Sequence, residues 1–178
     1  MNLTLSDVIS ITAVMQIVIF VIFLLKKKNF HTSNYLLAIF LIIQAILFFN
    51  FLTGHLYSYT IRYAPHTLLT GVPFFWLVAP TLHLYVLSIC RSGFQLKKIH
   101  LLHALPFLVD VSGFMILFYL KSAAEKQSIL TSGSGLGRSF FWYAHCAAFY
   151  IQFLIYNILS LHTIAGYRKQ VKDNYSSL

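Results

Sequence analysis

Three observations predict an all-α fold, a polytopic membrane helical bundle of five transmembrane helices with the N-terminus out and the C-terminus in. Only 10% of the residues are charged and 58% are apolar, whereas a soluble domain carries about 25% charge, and the mean hydropathy is +0.75. Five apolar runs each reach the roughly 20 residues that cross a bilayer core. In hydrocarbon their backbone amides must be satisfied internally, so each run should be a helix. The basic residues between the runs alternate between a rich and a poor side, as cytoplasmic and outer loops do.

The first span, about 5–25, is followed by Lys26-Lys27-Lys28. A secretory signal peptide has its positive charge before the apolar run and a small-residue cleavage site after it; this segment has neither and is read as a span. The second span covers about 34–53. The loop 54–67, GHLYSYTIRYAPHT, is rich in Tyr and His, which suits the headgroup level. The third span, about 68–90, includes 20 uncharged residues from Gly71 to Cys90, about 30 Å as a helix. Pro73 and Pro80 stand seven apart on one face, and each removes a helix hydrogen bond, so a kinked helix is expected. A basic loop with Arg91, Lys97 and Lys98 leads to the fourth span, about 101–120. Residues 121–138, with Glu125, Lys126 and the run SGSGLG, read as a polar, flexible loop. The fifth span covers about 140–165. Residues 1–166 thus form one transmembrane domain, and 167–178 a basic cytoplasmic tail or linker that should continue the last helix.

Nine of the 13 basic residues fall on one side of this layout and four on the other, which sets the orientation. The net charge of +9 is spent on these helix ends. With no basic stripe interleaved with aromatics, direct nucleic-acid contact by this segment is rejected. Cys90 and Cys146 are too few for a disulfide framework and fall near opposite faces.

Part of the chain resembles a known family. The stretch Ala79-Pro80-Thr81-Leu82-His83-Leu84-Tyr85-Val86, the basic loop Phe94-Gln95-Leu96-Lys97-Lys98 and the segment His100-Leu101-Leu102-His103-Ala104-Leu105-Pro106-Phe107 are similar to the multi-span N-terminal module of bacterial AraC-type membrane-bound transcriptional regulators. Tyr119-Leu120 with Glu125-Lys126, and the tail Tyr167 to Leu178, resemble that family's Y-L…E-K stretch and basic linker. His83 stands where an aromatic is usual, and Ala79 where a Gly is. The resemblance implies a sensor or anchoring input domain in the bacterial cytoplasmic (inner) membrane. Its signal would be a small molecule or an envelope cue, its output a downstream domain or partner protein. The family's helix-turn-helix has no counterpart in these residues, so operator binding does not carry over. The alternative is a small stand-alone transporter or membrane enzyme using Asp110.

Asp110 is the acid in the middle of a predicted span, ten residues into the fourth and about 15 Å deep. Intramembrane ionisable residues mark functional sites by default; the bland reading is a protonated Asp gluing two helices. Counted from the inner ends, Gln16, Gln44, His83, Asp110 and Asn157 lie at similar depths. They are therefore expected to form a polar layer with His83 as the partner of Asp110. His100 and His103 share a helix face, but with no further ligands they read as interfacial anchors. His145-Cys146 lacks an acid at its depth and is not read as a nucleophile pair. The outer loop, with His55, Arg62 and His66 among its tyrosines, would suit a small ligand from outside, or simply an aromatic belt. No phosphate loop, HExxH or GxSxG appears. No metal, cofactor or enzymatic activity is expected.

Overall fold

The computed structural model describes residues 4–26, 31–131 and 140–175. The described residues are helical almost throughout, and five helical stretches are long and apolar enough to cross a membrane: Leu5–Leu25, Thr32–His55, Pro65–Cys90, Lys98–Tyr119 and Trp142–Asn174. The SGSGLG run and the last three residues lie outside the described ones.

Helices α1 (Leu5–Leu25) and α2 (Thr32–His55) form an antiparallel hairpin. α1 starts where the sequence places a capping box: the Thr4 hydroxyl accepts from the Asp7 backbone N–H, and the Asp7 carboxylate accepts from the Thr4 N–H at 2.8 Å. The same carboxylate meets His55 Nδ1 at 2.9 Å, pinning the end of α2 to the start of α1.

The predicted loop 54–67 is largely helical. α2 runs on to His55, α3 (Tyr57–Tyr63) follows, and a 3₁₀ turn spans Pro65–Thr67. The segment 121–138 is also not all loop, because it contains α6 (Ala123–Thr131). The signal was a capping box at its start. Glu125 accepts from the Ser122 backbone N–H and hydroxyl, both at 2.8 Å. The Ser122 N–H and then its hydroxyl hold the Glu125 carboxyl below the usual carboxylate range. Tyr57 donates to the Leu130 carbonyl and Gln127 to the Ile61 carbonyl, so α3 and α6 pack together. Beneath them sits a core of Leu68, Val72, Phe114 and Phe118.

The third span is divided by its prolines. Pro73 falls in a 3₁₀ turn (Val72–Phe74), and the regular helix α4 (Phe75–Cys90) starts only after it. Pro80 lies inside α4 and lacks the N–H that would bond the Trp76 carbonyl four residues back. Gln152 donates to that carbonyl instead, at 3.1 Å. Gly71 allows the closest approach of α2: its N–H donates to Asn50 Oδ1 at 3.1 Å, and a Cβ there would lie 2.4 Å from Asn50 Cβ.

The fourth span mixes three helical forms: 3₁₀ over Lys98–Ala104, α5 (Leu105–Phe114), then a π-turn over Met115–Tyr119 closed by Leu120 N–H to the Met115 carbonyl. The last helix, α7 (Phe140–Tyr175), is 36 residues long, about 54 Å. It passes unbroken through Gly166 and the basic residues Arg168, Lys169 and Lys172. α4 and α7 run parallel, since Trp76 meets Gln152 where His83 meets Ser160. α5 runs antiparallel to α7, with His103 on Tyr156 and Asp110 on His145.

Gly71→Ala should separate α2 from the start of α4 and destabilise the protein by about 1–3 kcal/mol, the usual cost of overpacking. Thermal unfolding in detergent measures this; an unchanged midpoint would show that the Asn50 contact is soft.

Candidate functional site

Asp110 and His145 are brought together from the fourth and fifth spans. Asp110 Oδ1 and His145 Nδ1 are 2.8 Å apart, with side chains 5% and 9% exposed. On α5 the spacing of Asp110, Gly113 and Phe114 puts all three on one face, and Phe114 is buried with them. His145 is held by aromatic rings. It stacks on Trp142 at 5.6 Å with planes 12° apart, and meets Trp76 edge-on at 5.4 Å and Phe114 at 6.1 Å. Each group is the other's hydrogen-bond partner, which lowers the cost of burying both.

The pair forms the floor of a groove of about 550 Å³ between α5 and α7. Leu105 and Val109 of α5 and Ala144 and Ala148 of α7 line it and are exposed on the flank of the bundle. Two buried polar atoms of groove-lining residues have no hydrogen-bond partner among the described residues: Asp110 Oδ2, an acceptor, and Trp76 Nε1, a donor. An unmade hydrogen bond at a buried group costs about 1–3 kcal/mol, so native structures rarely keep two together without use.

A second polar set lies nearer the basic end. His83 Nδ1 is 3.1 Å from Ser160 Oγ, and His103 Nδ1 is 2.6 Å from the Tyr156 hydroxyl. His100 stacks on His103 at 6.2 Å, and its own Nδ1 accepts from the Lys97 backbone N–H. At the opposite end the Lys126 amine, 1% exposed, donates to the Tyr119 carbonyl at 2.9 Å, lies 2.6 Å from His66 Nδ1 and sits over the Phe118 ring. It closes the C-terminus of the π-turn, a structural use of a cation at a helix end.

The sequence-predicted residues therefore separate. Asp110 points inward, but its partner is His145, not His83, which is bonded to Ser160. Asn157 donates to the Phe153 carbonyl of its own helix, Gln44 is partly buried in α2, and Gln16 is exposed on α1. The single polar layer assumed 1.5 Å per residue everywhere. The 3₁₀ run Lys98–Ala104 rises about 2.0 Å per residue and carries Asp110 further from the basic end. α7, longer than a bilayer core, brings a more distant residue beside it. The outer-loop candidates also part company: His55 binds Asp7, His66 meets Lys126, and Arg62 lies over the Tyr63 ring. His145, set aside for want of an acid, was the residue missed. Its acid is on another span, and only the run of aromatics around it, Phe140 to Tyr143, hinted at a packed site. Both cysteines are free thiols. Among the described residues no group of three or more His, Cys, Asp or Glu is placed to hold a metal.

These features define an all-α protein whose described residues include five helices long and apolar enough to cross a membrane, and a buried acid–histidine pair open to the flank of the bundle. Comparison with family models, curated proteins and solved structures gives no match.

Asp110→Ala and His145→Ala should each destabilise by about 1–3 kcal/mol, because each leaves the other group buried and unpaired. The double variant should cost less than the two added, with a coupling of about 0.5–3 kcal/mol. Unfolding in mixed micelles measures the cycle; strict additivity would show that the two groups do not interact.

Proposed function

We propose that this chain is the membrane-embedded sensor, or anchoring input, of a bacterial signalling or transcription regulator. The observation that carries the reading is the Asp110–His145 pair, a polar link between two spans at the floor of an accessible groove. Intramembrane ionisable groups at such a place mark ligand or ion sites. The link ends on α7, and α7 is a single rod from that pair to the basic segment around Lys172. A change at Asp110 can therefore tilt or slide α7, and that displacement reaches the far end. The basic end faces the cytoplasm in this reading, since the positive-inside rule favours it, and the N-terminus lies outside. The output is a domain or partner at the α7 end, in keeping with the resemblance to AraC-type membrane-bound regulators, which is an analogy of sequence. A transporter or membrane enzyme using Asp110 is the second reading. The groove speaks against it, because its rim is on the flank of the bundle.

The test measures α7 directly. Spin labels at Ser92→Cys and Lys172→Cys, with Cys90→Ser and Cys146→Ser, report the distance between the basic ends of α4 and α7 in bilayers. Asp110→Ala should shift the distance distribution relative to the labelled parent. Distributions for Asp110→Ala and His145→Ala that both match the labelled parent would contradict a role for this pair in transmission.

A further inference from the structure

The groove also names the chemistry of what it takes up, an inference that rests on the sensing reading above. We propose that it binds a neutral, single-chain amphiphile with a hydroxyl head, entering sideways from the lipid. The two orphaned atoms are of opposite sense: Asp110 Oδ2 accepts and Trp76 Nε1 donates. A hydroxyl is the smallest group that donates and accepts at once. It gives its proton to Asp110 Oδ2 and takes the Trp76 N–H, satisfying both.

Charge narrows the class. Asp110 and His145 are already paired with each other at 2.8 Å, and among the described residues no other ionisable side chain lines the groove. An ammonium or phosphate head would have to displace that pairing or enter hydrocarbon without a counter-charge, which costs far more than a hydroxyl. Shape narrows it further. Gly113, Ala144 and Ala148 put nothing larger than a methyl into the groove, while Leu105 and Val109 supply an apolar wall. This leaves a slot between α5 and α7 that suits an alkyl chain, and about 550 Å³ falls within the usual range for small-molecule sites. The head then rests on the atoms that tie α5 to α7, so occupancy acts on the link that the sensing reading requires.

The two tryptophans of the chain are Trp76 and Trp142, and both pack against His145. Intrinsic fluorescence therefore reads this site. The full chain in bilayer nanodiscs is titrated with 1-dodecanol, dodecane, dodecyltrimethylammonium or dodecyl phosphate at equal mole fraction in the lipid. Dodecanol alone should give a saturable change. Asp110→Asn and Trp76→Phe, the latter with Trp142 still reporting, should each weaken it about tenfold, the effect of one lost hydrogen bond to a buried group. Ala148→Phe, which fills the slot from the exposed flank and leaves the polar pair intact, should abolish saturation without loss of helicity. Equal binding of dodecane or of a charged head, or undiminished affinity in both polar variants, would overturn the proposal. The outcomes separate from those of the sensing reading. If dodecanol fails to bind while Asp110→Ala still shifts the α4–α7 distances, the ligand class is wrong and sensing survives. If dodecanol binds and those distances stay fixed, the binding site stands and sensing falls.

Discussion

A buried polar group needs a hydrogen-bond partner, and that constraint shapes how α7 is attached. Its apolar residues are largely exposed, among them Tyr150, Ile151, Leu154, Ile158 and Leu161. Beside the packing of Phe149 on Phe75 and Trp76, a ladder of polar contacts holds it: Asp110 to His145, the Trp76 carbonyl to Gln152, His103 to Tyr156 and His83 to Ser160. The Gln152 rung exists because Pro80 cannot donate to the Trp76 carbonyl. A residue that weakens α4 as an isolated helix thereby creates the acceptor that docks α7 on it.

Polar rungs are directional and few, so they differ in kind from close packing. Apolar packing between membrane helices is spread over many contacts, whereas each interhelical hydrogen bond is worth only about 0.6 kcal/mol on average in a bilayer protein. A helix held this way can change rungs at modest cost, which is what a two-state element needs. The more closely packed part is elsewhere: the Leu68–Val72–Phe114–Phe118 core, capped by α3, α6 and the Lys126 amine, joins the third and fourth long helices at the ends away from the basic loop Arg91–Lys98. Asp110 lies on α5 one turn before Phe114, between that anchored end and the looser flank.

The all-α class and the five long apolar helices were legible because composition and hydropathy depend on residue type alone. The relative direction of the last three long helices also fits alternation: α4 and α7 are parallel and α5 opposes them. Two short helices were hidden. α3 falls in a Tyr/His-rich stretch whose composition fits a belt as well as a helix, and α6 is announced by Ser122 and Glu125, a capping box inside what reads as a linker. Depth was the quantity that sequence spacing could not carry. Asp110 was legible as buried and important, but its partner depended on the local rise of a 3₁₀ run and on the excess length of α7. Neither is visible in the spacing of polar residues, and so His83 was matched to Asp110 when its neighbour is Ser160.

Asp110 and His145 touch across two long helices, and everything proposed for α7 depends on that contact. Solid-state NMR on the protein in lipid, with ¹³C-labelled Asp and ¹⁵N-labelled His, tests it through magnetisation transfer from the Asp110 carboxyl carbon to a histidine ring nitrogen. The 2.8 Å contact predicts strong transfer to His145 Nδ1 that disappears in His145→Gln and persists in His83→Gln. In an Asp7→Asn background, which removes the second Asp–His contact (Asp7 to His55, 2.9 Å), transfer that survives His145→Gln, or is lost with His83→Gln, would contradict that contact and return Asp110 to a different partner.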